Sequence, residues 1–159
     1  MTKTANPIPP GYHTLTPHMI IKDATAAIEF YEKAFGAVKR GVLNAPDGKL
    51  MHAEIQIGDS IIMIHDEFPQ MNSLGPVSRG GVTMSLMMYV VDADAAFDKA
   101  VKAGCTATMP LANQFWGDRY GKVTDPFGHE WAIATHIEDL TMEECARHAE
   151  DAMKLMASK

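Results

Sequence analysis

The chain has 159 residues, 47% of them apolar, which is enough to bury the core of one domain or of two small modules. Twenty acidic residues against fourteen basic ones give a net charge of −6, and the Lys and Arg residues are scattered, so the footprint of a nucleic-acid or anionic-membrane binder is missing. Two cysteines, Cys105 and Cys145, match no metal or redox spacing, no apolar run reaches the length of a membrane span, and the N-terminus is too polar and Pro-rich for a signal peptide, so a cytoplasmic protein is expected.

Residues 1–12 read as an extended N-terminal arm. Residues 14–21 form an apolar run that ends near Asp23, an N-cap residue type followed by an Ala-rich helical run and stopped by Gly36. Within that run Ala27, Phe30, Tyr31 and Ala34 fall at i, i+3, i+4 and i+7 and make one packing stripe. Residues 38–44 and 50–57 read as a hairpin around the turn Pro46-Asp47-Gly48, and Gly58-Asp59 turns the chain into a fourth strand at 60–65. The first module, residues 13–66, is therefore βαβββ. Residues 67–81 hold two Pro, three Gly and no periodicity, and read as a linker.

The same grammar then returns. Setting Asp23 on Asp92, an offset of 92 − 23 = 69, superposes Ala24/Ala93, Ala26/Ala95, Ala27/Ala96, Lys33/Lys102 and Ala34/Ala103. Ala96, Ala100 and Ala103 repeat the helical stripe, and strands are expected at 82–90, 106–109, 120–124 and 130–135. Setting Gly58 on Gly128, an offset of 128 − 58 = 70, lays Ser60-Ile-Ile-Met-Ile over Glu130-Trp-Ala-Ile-Ala. The second module spans residues 82–138. Residues 139–159 form a C-terminal helix opened by the capping box Thr141-Met-Glu-Glu144, with Cys145, Ala149, Ala152 and Met156 on one face, and serve to cover a sheet edge or a dimer partner.

Four stretches carry a family resemblance: the opening strand with Asp23, Ile28-Glu-Phe-Tyr31 with Phe35-Gly36, Gln114-Phe-Trp-Gly-Asp-Arg-Tyr-Gly121, and Asp125-Pro-Phe-Gly-His-Glu-Trp131. Over residues 13 to 138 the chain resembles the glyoxalase/bleomycin-resistance proteins of the vicinal-oxygen-chelate superfamily, and the last two stretches resemble the signature of one mostly uncharacterised subgroup. The resemblance implies an α+β fold in which tandem βαβββ modules form a cupped mixed sheet with helices on its convex side, a small-molecule cavity and a homodimer. It also implies a divalent metal held from the first and fourth strand of each module. Those positions fall at Thr16, Met63, Ser85 and Ala132, and none is a good ligand, because hydroxyls coordinate weakly, Met suits soft metals and Ala coordinates nothing.

Strand alternation identifies other side chains on the cavity face, where residues two apart point the same way. That rule adds His18 and Met87 on the first strands, and His65, Ala134 and His136 on the fourth. A displaced metal site would draw on His18, His52, Glu54, His65 and His136. His18, among Met, Ile and Tyr, is a candidate general base or hydrogen-bond donor to a ligand, or else a satisfied core histidine. Phe115 and Trp116 stand in a polar loop, where large aromatics fold over either the cavity mouth or a partner subunit. Asp118 and Arg119 either pair with each other or offer a guanidinium to an anionic or carbonyl-bearing ligand. The candidate ligand-binding set is thus His18, Met63, His65, Met87, Gln114, Phe115, Trp116 and Arg119. Trp131 alternates with Ala132 and is expected in the core on the helix side.

Two functions of different class follow. One is a homodimeric binding protein, without metal or other cofactor, that encloses an apolar or aromatic compound for sequestration or resistance. The alternative is a lyase, isomerase or dioxygenase that uses one divalent metal ion on displaced ligands. A third option keeps His18 as acid/base in a metal-free enzyme. Neither nucleic acid nor membrane is an expected partner.

Overall fold

The computed structural model describes residues 5–157; residues 1–4 of the expected arm, residues 158–159 of the last helix and the Met156 side chain lie outside the described residues. The chain divides into two compact units, Met1–Val82 and Thr83–Lys159. In the first, β1 (His18–Ile21), α1 (Ala24–Phe35), β2 (Val38–Asn44), β3 (Leu50–Ile57) and β4 (Ser60–Asp66) follow in chain order, with the sheet ordered β1-β4-β3-β2. The second repeats this with β5 (Ser85–Tyr89), α3 (Ala93–Ala103), β6 (Thr106–Asn113), β7 (Asp118–Thr124) and β8 (Glu130–His136), ordered β5-β8-β7-β6. Each sheet is mixed, because the first and fourth strands run parallel while the hairpin strands run antiparallel. No helix among the described residues is long and apolar enough to cross a membrane.

The helices start where the sequence says they should. Asp23 accepts from Ala26 N at 3.1 Å and Asp92 from Ala95 N at 2.9 Å, so both carboxylates satisfy an N–H that the first turn leaves open. Gly36 ends α1 in the left-handed region, φ 67°, where a Cβ would be strained. A second device tightens each helix start. Asp66, the last residue of β4, accepts from both Ala24 N and Leu50 N, and Thr135 Oγ1 on β8 accepts from Ala93 N.

On its inner face α1 buries Ala24, Ala27, Ile28, Tyr31 and Ala34, with Ile28 rather than Phe30 fully covered. On α3 the buried set is Ala93, Phe97 and Ala100, while Ala96 and Ala103 are only half-buried. The expected alanine stripe is displaced by Phe97 because Gly121 on β7 makes room for it: a Cβ there would stand 2.9 Å from the Phe97 ring. The inner faces of the sheets supply Met19, Ile21, Ala53, Ile55 and Ile64 in the first unit, and Val123, Trp131 and Ile133 in the second. Full burial of an aliphatic side chain of this size stabilises by about 1.5–3 kcal/mol.

Several expected boundaries move. The first strand begins at His18 rather than 14 and the fifth at Ser85 rather than 82, while β6 runs on to Asn113 as an irregular edge strand containing Pro110, a position where its missing N–H costs no ladder bond. Residues 67–81 are more than a linker. They form a 3₁₀ turn (Pro69–Met71) and a short helix, α2 (Pro76–Arg79), and buried Glu67 accepts from Gly75 N and Ser78 Oγ at 2.7 and 2.9 Å. The offset of 70 for the fourth strands is also corrected. His18 pairs with Met63 and Met87 with Ala132, so β4 and β8 correspond at the same offset of 69 as the helices, with Ile62 over Trp131 and Ile64 over Ile133. The glycine turns mislead because they differ in length: Ile57 pairs with Ser60 across two residues, whereas Thr124 pairs with Glu130 across five. The last helix, α4 (Met142–Ala157), opens with the capping box, Glu144 N donating to Thr141 Oγ1 and Thr141 N to Glu144 Oε2.

Candidate functional site

Each unit has a sheet face that its helix leaves bare, and the expected site residues divide between the two. In the first unit, the ladder places His18 beside Met63 and Met63 beside Glu54, with Ile20 beside His65 in the next row. Since Met19, Ile21, Ile64, Ala53 and Ile55 point into the core, alternation turns all of these to the helix-free face. Three imidazoles gather there. The His18 and His65 ring centroids are 4.8 Å apart and edge-on, His18 and His52 are 6.4 Å apart, and Phe68 lies 5.8 Å from His65. His65 Nδ1 donates to the Asp66 carbonyl at 2.6 Å. His52 Nε2 stands 3.3 Å from Glu54, and Tyr12 donates to the same carboxylate, which holds Glu54 below the usual carboxylate range and raises the Tyr12 phenol. Burial lowers the pKa of His18, and the neighbouring His65 and His52 lower it further. His18 is therefore a neutral imidazole at pH 7, able to accept a proton or a hydrogen bond.

The second unit gathers a different set. Asp118 is only 3% exposed as a side chain, and it accepts from Tyr89 OH at 2.9 Å, Trp116 Nε1 at 3.0 Å and His136 Nδ1 at 2.8 Å. Burial pushes the Asp118 carboxyl up, but these three donors outweigh it and keep it ionised below its ordinary value. His136 also meets Asp139 through Nε2 at 2.9 Å, and the two carboxylates raise its pKa. Trp116 packs edge-on against Phe115 at 4.9 Å and Tyr120 at 5.4 Å. The turn that carries them is held closed, since Ile137 N and Glu138 N both donate to Gly117 O. Gly117 itself sits at φ +91°, where a Cβ would meet the Glu138 carbonyl at 2.2 Å. Met87 is exposed beside Ala132 on the same sheet.

Two expected contributors lie elsewhere. Arg119 points to the helix side, where it grips Asp94 of α3 bidentately and Asn113 by a third bond, so it pairs neither with Asp118 nor with anything on the helix-free face. One residue further along a strand reverses the face, and Arg119 follows Asp118. Gln114 is spent on its turn, bonding the Ala112 carbonyl through Nε2. Trp131 is buried as expected, with Nε1 donating to Asp125 at 2.8 Å.

Six contributors escaped the sequence: Tyr12, Ile20, Phe68, Tyr89, Tyr120 and Asp139. Alternation from Met87 would have found Tyr89, but Asp139 lies past the last strand and no periodicity reaches it.

The donor chemistry does not fit the metal site that the resemblance implies, since Thr16, Met63, Ser85 and Ala132 offer two hydroxyls, one thioether and a methyl group. Among the described residues no group of three His, Cys, Asp or Glu side chains stands where it could share a metal ion.

The sequence model described as Glyoxalase/Bleomycin resistance protein/Dioxygenase superfamily matches residues 12–133. An uncharacterized protein of Mycobacterium bovis is 44% identical over 133 residues, covering 82% of this chain and 88% of its own length. Among solved structures, TioX from Micromonospora sp. has a TM-score of 0.62 at 26% identity, over 79% of this chain and 99% of that one. An Arabidopsis thaliana gene product has the same TM-score and identity, over 77% and 98%.

Proposed function

This chain belongs to the glyoxalase/bleomycin resistance protein/dioxygenase superfamily, and on that premise we propose that it is a metal-independent small-molecule binding protein. Its ligand is apolar or aromatic, and its work is sequestration or resistance. The observation that carries this reading is the helix-free face of the first unit, where His18, whose pKa is lowered, stands with Met63, Ile20, His65 and Phe68, and, among the described residues, no group of three metal donors accompanies them. Apolar side chains give such a face its affinity, and one or two imidazoles fix the orientation of whatever binds. In this reading Gln114–Gly121 and Asp125–Trp131 mark a subgroup of the superfamily, and the protein works as a cytoplasmic homodimer, with sheet edges and α4 as the surfaces that meet.

A thermal-shift screen of apolar and aromatic compounds tests the reading: a ligand that binds N alone raises the midpoint by mass action. His18→Ala should abolish the shift of a hit without lowering the midpoint of the free protein. Stoichiometric, chelator-removable metal after gentle purification would overturn it in favour of the metal-dependent alternative. The lowered pKa of His18 favours a second reading, a metal-free enzyme with His18 as general base, and substrate turnover lost in His18→Asn with binding retained would select it.

A further inference from the structure

His136 is held in a way that binding through the first unit leaves unexplained. It ends β8, and each ring nitrogen faces a carboxylate, Nδ1 to Asp118 at 2.8 Å and Nε2 to Asp139 at 2.9 Å. An ionised carboxylate only accepts, so the pair of contacts favours the doubly protonated, cationic form of the ring. The two counter-ions are unequal. Asp118 is buried and anchored by Tyr89 and Trp116, which makes it a permanent part of the face. Asp139 is fully exposed, three residues from His136 in a stretch with no regular secondary structure. Exposed pairs of this kind contribute little to stability, so another anion of the same shape can take the place of Asp139 at little cost.

The sheet face that carries His136 also carries aromatic rings, gathered around Asp118. Asp118 pairs with His136 across the β7–β8 ladder and Tyr120 with Ala134 one row on, so alternation puts Asp118, Tyr120 and His136 on one face. Trp116 reaches that face through its bond to Asp118 and packs on Tyr120, and Phe115, next to it, is exposed. A cationic donor beside aromatic rings, already closed by a carboxylate of the chain itself, matches a planar ring that carries a carboxylate. We propose that Nε2 of His136 receives the carboxylate of an aromatic acid, which displaces Asp139 while its ring packs against Trp116, Phe115 and Tyr120. This site lies on the second unit and goes beyond the binding reading, which rests on the helix-free face of the first.

The test compares 2-naphthoate with its neutral isostere, naphthalene-2-carboxamide, by titration calorimetry on the full chain. Wild type should prefer the acid by about ten-fold, the equivalent of one charge-assisted hydrogen bond at roughly 1.4 kcal/mol. His136→Gln should bring the two affinities together. Asp139→Asn, a fully exposed change that leaves the fold intact, should raise acid affinity by up to about five-fold, the worth of one exposed ion pair, and the acid should shift the His136 Nε2 resonance. Equal affinity for acid and amide in wild type, or an acid preference that survives in His136→Gln, overturns the proposal while small-molecule binding stands. Binding of neither compound overturns it too, and the wider reading is then decided separately by the screen of neutral apolar compounds.

Discussion

Strand for strand, Met87 in the second unit occupies the place of His18 in the first, Ala134 that of His65, Tyr89 that of Ile20, and Lys122 that of Glu54. Across the sheet the correspondence is of another kind: Ile64 answers Ile133, Ile55 answers Val123, and Asp66 and Thr135 both accept from the first N–H of the following helix. The helix side of a duplicated module must fill the same space and satisfy the same backbone groups, so its residue types are held close. The bare side has no such duty. It has become a cluster of imidazoles around His18, whose pKa is lowered, in one unit and an imidazole clamped on a buried carboxylate, its pKa raised, in the other.

The largest expected effect tests which side is which. Trp131→Ala removes an almost fully buried ring and its bond to Asp125 and should cost about 3–5 kcal/mol in urea denaturation. Trp116→Ala takes one of three donors from Asp118 and should cost about 1–3 kcal/mol while reducing ligand affinity. If the losses came out in the reverse order, the two faces of the second sheet would be assigned the wrong way round.

A smaller effect compares the two helix starts. Asp66→Ala strips the acceptor from Ala24 N and Leu50 N, and Thr135→Val strips the acceptor from Ala93 N and the donor from the Val90 carbonyl, so each removes two hydrogen bonds and should cost about 2 kcal/mol. Asp23→Ala and Asp92→Ala should each cost about 1 kcal/mol and match one another. Unequal caps would mean that the repeat is less exact in energy than in geometry.

The smallest effect sharpens the electrostatic contrast directly. In an NMR titration His18 should lose its proton below the ordinary imidazole value of 6.5 and His136 above it. For His136 the raised pKa contributes stability that is full below 6.5 and is lost as pH rises through the folded value; for His18 the lowered pKa leaves stability intact above 6.5 and erodes it as pH falls. Asp118→Asn should return His136 toward 6.5 and leave His18 where it was, and a matching shift of both would break the comparison.

The sequence by itself determined what depends on short spacing. Asp23 and Asp92 cap because an N-cap needs only the next three residues, the βαβββ chain order of each unit follows the repeated turns, and Trp131 faces the core because alternation has a period of two. The tertiary structure decided what depends on register between distant strands. The turns before β4 and β8 differ in length, so the fourth strands correspond one residue away from where their glycines put them. Arg119 finds Asp94 on a helix 25 residues earlier, Phe97 replaces the alanine stripe because Gly121 lies opposite, and His136 meets Asp118 across a ladder and Asp139 beyond it. A side chain's neighbours along the chain follow from its own residue number, but its neighbours across a sheet follow from the length of every turn between them, and one residue more or less exchanges one face for the other.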